Sequence, residues 1–197
     1  MINQIDSLGG HVPEGEIRKF RELKESFWEL QEFGSGPLQE AEPLPLVFPD
    51  FEMDINSARF KVNMTDALEL PFETLLSRVE GSLNLGGVYG QVLRALLVRV
   101  KSRKQIYPHI DNTFADLDCE IYRMQIYRSN DENFLKVDDL EICPEVGSLL
   151  RIPKGSVVSE ENTGLNDNIH LMLYFKRQSA SKVLAEEVAH EHSNTNP

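Results

Sequence analysis

The sequence predicts a mainly β fold, an antiparallel sandwich or barrel with helices from the N-terminal half packed on one sheet. Three observations carry that expectation. Apart from a short helix in the tail, the helical patterns fall before residue 85. Short runs rich in β-branched and aromatic residues crowd the chain after residue 93. Turn residues separate those runs, with no helical pattern between them.

In chain order, residues 14–32, EGEIRKFRELKESFWELQE, set Ile17, Phe20, Leu23, Phe27, Trp28 and Leu30 near a helical period with charges between, which predicts an amphipathic helix. Gly34, Gly36, Pro37, Pro43, Pro45 and Pro49 then break regular structure to about residue 50, a surface connector ending in the apolar Leu46-Val47-Phe48. Pro71 suits the first turn of a second helix over 71–82. Leu85-Gly86-Gly87-Val88-Tyr89-Gly90 has no Lys-Ser/Thr after it and reads as a loop, not a phosphate cradle. RALLVRV, EIYRMQIY, FLKV, SLLRIP and IHLMLYF follow as strands, parted by Ser129-Asn130-Asp131, Pro144, Pro153 and Gly164-Leu165-Asn166-Asp167. Past Arg177 the apolar pattern fades into a short helix and a polar tail. The chain is thus one domain over 1–177, its sheet core at about 87–177, with a flexible tail over 178–197.

A chain of 197 residues, 41% hydrophobic and 26% charged, has the composition of a globular protein, not of a fibrous or disordered one. With 20 Lys+Arg against 32 Asp+Glu the formal charge is −12, which disfavours nucleic acid and anionic membranes as partners. Arg99, Lys101, Arg103 and Lys104 make one short basic cluster. No apolar run approaches the roughly 20 residues of a membrane span, and the first residues lack the pattern of a secretion signal, so a cytoplasmic protein is expected. Asn63-Met64-Thr65 fits the glycosylation pattern but would not meet the enzyme that reads it there. Cys119 and Cys143 have neither CxxC spacing nor clustered histidines, and both are expected to be reduced and buried.

Tyr107-Pro108-His109-Ile110-Asp111 is the stretch richest in chemistry. In a strand alternate side chains share a face, so His109 and Asp111 point one way and Ile110 into the opposite layer. An imidazole and a carboxylate so placed reach one ion, as in the two-histidine, one-carboxylate triad of non-haem Fe(II), or else bond to each other at a strand end. Arg123, Gln125 and Tyr127 share one strand face, a small-anion site or an exposed face, while Tyr122, Met124 and Ile126 pack in the sandwich interior. Asn168, His170, Met172 and Tyr174 share a face opposite Ile169, Leu171, Leu173 and Phe175. His190 and His192 lie in the polar tail and read as histidines with adventitious metal affinity.

RALLVRVKSRKQIYPHID, EIYRMQIY and VGSLLRIPKGSVVSEENTGLNDNIHLMLYF together resemble the aspartyl/asparaginyl β-hydroxylase-like branch of the 2-oxoglutarate- and Fe(II)-dependent oxygenases, over residues 87–177. The resemblance implies a double-stranded β-helix, a cupin-like jelly roll, and hydroxylation of an amino acid or peptide side chain with Fe(II) and 2-oxoglutarate as cofactors. It matches His109 to the first metal histidine and Asp111 to the metal carboxylate. Arg123 corresponds to a basic residue beside the cosubstrate, with Gln125 and His170 lining the same cavity. The family's late HS-x-x-N segment falls on Val158-Ser159-Glu160-Glu161-Asn162, and its R-I-H-L on Asn168-Ile169-His170-Leu171. Val158 therefore stands for the second metal histidine, and Asn168 for the arginine that grips the far carboxylate of 2-oxoglutarate.

Valine has no lone pair for iron, and a neutral amide is a poor substitute for a bidentate guanidinium. A hydroxylase of this type and a non-catalytic cupin-fold binding or scaffold protein are the two main readings. A third is a metal-dependent cupin that recruits His170 to His109 and Asp111. Glu160 and Glu161 are candidates for a replacement carboxylate or simply a solvated turn. The expected partner is a small molecule or peptide.

Overall fold

The computed structural model describes residues 7–11, 14–23, 28, 36–47, 66–85, 90–112, 119–128 and 133–178. In order they form β1 (Ser7–His11), α1 (Glu14–Arg21), β2 (Ala41–Val47), α2 (Asp66–Leu85), β3 (Gly90–Val100), β4 (Gln105–Ile110), β5 (Cys119–Tyr127), β6 (Phe134–Val137), β7 (Leu140–Ile142), β8 (Ser148–Ile152), β9 (Val157–Glu161) and β10 (Asn168–Arg177). The Asn63 sequon, the loop expected at 86–89, the turn expected at Ser129–Asp131, and the residues from 179 onward, where a short helix and a tail with two histidines were expected, lie outside the described residues.

The strands make two antiparallel sheets, a six-stranded one in the order β1-β8-β5-β10-β3-β2 and a four-stranded one in the order β4-β9-β6-β7. From β3 onward the chain passes repeatedly from one sheet to the other, the winding of a jelly roll. Two apolar layers follow. Ile17 and Phe20 of α1 and Leu75, Val79 and Leu83 of α2 pack with Ala95, Leu97, Tyr122, Met124, Ile126, Leu171, Leu173 and Phe175 on the outer face of the large sheet. Leu96, Val98, Ile106, Ile121, Leu135, Val137, Leu150, Ile152 and Tyr174 fill the space between the sheets. Phe20 and Phe175 are wholly buried, each contributing about 1.5–3 kcal/mol of transfer free energy. Because β3 and β10 are covered on both faces, their sequences read as nearly continuous apolar runs. Tyr122, Met124 and Ile126 therefore face the helices, not the space between the sheets.

Several expectations are corrected. The first helix stops at Arg21, well short of 32, although Trp28 still packs in the helix layer. The second is longer than 71–82 and spans Asp66–Leu85. Part of the supposed connector is β2, which pairs with β3 and puts Pro43 opposite Val98 and Pro45 opposite Leu96. Proline costs no ladder bond on the open side of an edge strand, and β2 is an edge. Cys119 is buried as expected, but Cys143, just beyond the end of β7, is exposed. Among the described residues no helix is long and apolar enough to cross a membrane.

Candidate functional site

The site lies between the sheets, where β4 and β9 of the small sheet face β5 and β10 of the large one. β4 carries one extra residue against β9: Ile106 pairs with Glu160 and His109 with Val158. Three steps along one strand against two along the other make a bulge at Tyr107–Pro108, which turns His109 to the same inner face as Ile106. A regular strand would have sent it outward. His109 and Asp111 line one cavity, as alternation predicts, with Leu38, Val158, Glu160 and His170. Ile110 does not enter a second layer; it is 46% exposed, with no layer of the described residues over the outer face of β4 there. The cavity holds about 20 Å³, room for about one water molecule.

His109 Nδ1 donates to the Tyr107 carbonyl at 2.8 Å, which leaves the Nε2 lone pair for a ligand. Asp111 Oδ2 accepts from the Tyr174 hydroxyl. Tyr174 comes to this spot because β10 alternates as predicted, with Asn168, His170, Met172 and Tyr174 turned inward.

A buried polar cluster occupies the large-sheet side. Glu160 is not part of a solvated turn: it lies in β9, 3% exposed, while its neighbour Glu161 faces solvent. Arg123 Nη2 donates to Glu160 Oε2 at 2.5 Å. Asn168 Nδ2 donates to Glu160 Oε1. Gln125 Nε2 in turn donates to Asn168 Oδ1 at 2.7 Å and to the carbonyls of Tyr127 at 2.6 Å and Ile169 at 3.1 Å. His170 is fully buried, its Nδ1 3.3 Å from Glu160 Oε2 but not aligned for a hydrogen bond. Both its ring nitrogens, and Arg123 Nε, lack hydrogen-bond partners among the described residues. Burial, and then the Arg123 charge, hold the His170 pKa well below the usual histidine range, so its ring is neutral near pH 7. Asn162, fully buried, fixes the turn between β9 and β10: its Nδ2 donates to the Val100 and Asn166 carbonyls at 2.8 and 2.9 Å, and its Oδ1 accepts from Gly164 N at 3.0 Å.

Arg123, Gln125, Asn168 and His170 thus come together around Glu160, which the sequence offered as a replacement metal carboxylate or part of a solvated turn and which instead lies at the centre of this cluster. Alternation along β9 held the signal: with Val158 turned inward, Glu160 two residues on must turn inward too.

The sheet orders and this winding decide the comparison with known folds. The fold is the jelly roll of the 2-oxoglutarate/Fe(II) oxygenases. The viral collagen prolyl hydroxylase vCPH from Paramecium Bursaria Chlorella virus-1, solved as a 2OG complex, is similar at a TM-score of 0.58 with 9% identity, covering 89% of this chain and 96% of that one. The carbocyclase SnoK of nogalamycin biosynthesis, described as non-heme and alpha ketoglutarate dependent, is similar at 0.57 with 12% identity over 84% of this chain and 76% of its own. A Pseudomonas putida prolyl-4-hydroxylase is similar at 0.54, with 12% identity over 89% and 92%. No protein-family model and no curated protein matches the sequence.

The residues present do not fit the iron and 2-oxoglutarate that this fold family implies. His109 and Asp111 are two donors, and the residue paired with His109 across the sheet is the apolar Val158. Among the described residues no three His, Cys, Asp or Glu side chains converge to hold a metal, His170 included. The groups suited to a carboxylate, Arg123 and Asn168, are on Glu160.

Proposed function

We propose that the chain is an oxygenase-fold protein of the aspartyl/asparaginyl β-hydroxylase type that binds its partner without iron-dependent turnover. The observation that carries this reading is the pairing of Val158 with His109, which sets an apolar side chain where the resemblance calls for the second metal histidine. Asn168, in the place of the cosubstrate arginine, gives its amide to Glu160. Two protein donors hold Fe(II) poorly. Hydroxylation of an amino acid or peptide, the reaction of a complete site of this type, is the competing reading, and the free Nε2 of His109 favours it.

The partner in the binding reading is a small molecule or peptide. A cleft of about 220 Å³ over the four-stranded sheet, lined by Lys136, Glu141, Glu161, Phe134 and Ser159, suits a ligand with charges of both signs. A cytoplasmic location completes the proposal, and the formal charge of −12 supports its lack of nucleic-acid and anionic-membrane partners.

The test is restoration. Val158→His and Asn168→Arg supply the two groups, and Glu160→Ala must accompany them, since Glu160 would otherwise pair with the new arginine. The triple variant is expected to gain joint stabilisation by Fe(II) and 2-oxoglutarate in anaerobic thermal denaturation. A folded triple variant that responds to neither ligand contradicts the register and the type assigned here.

A further inference from the structure

We propose that Arg123, Asn168 and His170 form a seat for one small monocarboxylate ion, and that the chain fills this seat with its own Glu160. The inference stands apart from whether His109 and Asp111 hold a metal.

The seat is built from groups that are themselves buried: Arg123 is 4% exposed, Asn168 2% and His170 0%. One carboxylate oxygen takes the Arg123 Nη2 donor and the other the Asn168 amide, a two-sided grip on a planar anion. Asn168 is held in that orientation by Gln125, which occupies the amide oxygen and so turns the NH2 toward the carboxylate. The grip is incomplete, however. Among the described residues Arg123 Nε and both His170 nitrogens have no hydrogen-bond partner, although Glu160 Oε2 is only 3.3 Å from His170 Nδ1. A side chain anchored at the β9 backbone cannot turn to meet every donor of the seat. A free carboxylate is not so constrained.

The geometry sets the ligand class. Truncating Glu160 to alanine deletes a methylene and a carboxylate, the heavy atoms of an acetate ion, and leaves the Arg123 charge buried and uncompensated. The vacated volume joins the cavity of about 20 Å³ that Glu160, Arg123 and His170 already line together with His109 and Asp111. The parent protein offers no such vacancy while β9 stays paired between β4 and β6. The seat opens to outside carboxylates only when Glu160 is removed.

The experiment is rescue of Glu160→Ala by sodium acetate against sodium chloride at equal ionic strength, pH 7.5, read by thermal denaturation. The variant is expected to melt below the parent and to recover saturably by about 5–10 °C in acetate but not in chloride. The parent, whose seat is filled, and Glu160→Gln, which keeps the shape, are expected to show no difference between the two salts. Glu160→Ala combined with Arg123→Met is expected to lose the acetate response. If Glu160→Ala is unfolded in chloride, refolding from urea in each salt gives the readout: recovery in acetate alone supports the seat. An equal response to both salts, recovery in neither, or an acetate response that survives Arg123→Met overturns it.

Discussion

Replacing Glu160 by leucine removes one half of the most deeply buried ion pair among the described residues. The Arg123 and Glu160 side chains are 5% and 1% exposed, so water screens neither charge, and the contact is 2.5 Å long. Breaking such a pair from one side costs about 3–5 kcal/mol, because the remaining charge stays buried without compensation. Arg123→Met strands the carboxylate and is expected to cost a similar amount. At about 2–4 °C per kcal/mol for a chain of this size, each single variant should melt roughly 6–20 °C below the parent.

The double variant Arg123→Met/Glu160→Leu leaves no charge behind. It still leaves the Asn168 amide without its acceptor, a loss of about 1–3 kcal/mol. Its stability should therefore lie about 1–3 kcal/mol below the parent, and its loss should fall short of the summed single losses by about 3 kcal/mol or more. Urea denaturation, with an unchanged dependence on urea concentration, measures all four corners of the cycle. Single losses under about 1 kcal/mol, or losses that simply add in the double variant, would refute the account of a desolvated pair.

Acid should weaken the fold through His170. Its folded-state pKa is depressed by burial and by Arg123, so below about pH 6.5 the unfolded chain takes up a proton that the folded chain refuses. Stability from this residue is intact above the unfolded pKa and falls by about 1.4 kcal/mol per pH unit beneath it, roughly 2 kcal/mol between pH 6.5 and 5. Urea midpoints of the parent and of His170→Leu, compared at the two pH values, should show that much less loss in the variant; equal losses contradict the assignment. Two glycines should separate backbone strain from crowding. Gly155 has φ of +83° and open space around an added Cβ, so Gly155→Ala should cost only about 1 kcal/mol of strain. At Gly90 a Cβ would run into the Lys176 carbonyl and the Phe175 ring, so Gly90→Ala should cost more, as thermal denaturation of the two variants would show.

Much of the fold was legible because alternation is a local property. EIYRMQIY and IHLMLYF each carry one apolar face and one polar or mixed face, and the alternation holds in both strands, but which face meets the helices was not local information: the apolar face of EIYRMQIY, expected between the sheets, lies against the helices. What stayed hidden depends on neighbours distant in sequence. Pro43 and Pro45 read as breakers because nothing local says that β2 is an edge strand, where the missing N–H is harmless. The helix pattern of 14–32 runs past Arg21 because Trp28 packs in the same apolar layer as α1, so periodicity alone continues through the end.

The site shows the same division. His109 and Asp111 share a cavity as alternation expects, but the bulge that turns His109 inward is visible only in the pairing of β4 with β9. Glu160 and Glu161 were offered together as a replacement carboxylate or a solvated turn, since adjacent glutamates usually mark a turn, and only a strand through Val158 sends one inward and the other out. Cys143 lies just past the last residue of β7, beyond the cover that buries Cys119 in β5.

The central claim is that the donor set around His109 no longer supports iron and 2-oxoglutarate. Its most direct test is anaerobic thermal denaturation of the parent and of His109→Ala, each with and without Fe(II) and 2-oxoglutarate. A ligand at about 100 times its dissociation constant adds roughly 2.7 kcal/mol, a shift of several degrees in a chain of this size. The account predicts no joint shift in either protein. A joint rise in the parent that disappears in His109→Ala would show a working metal and cosubstrate site, and would contradict it.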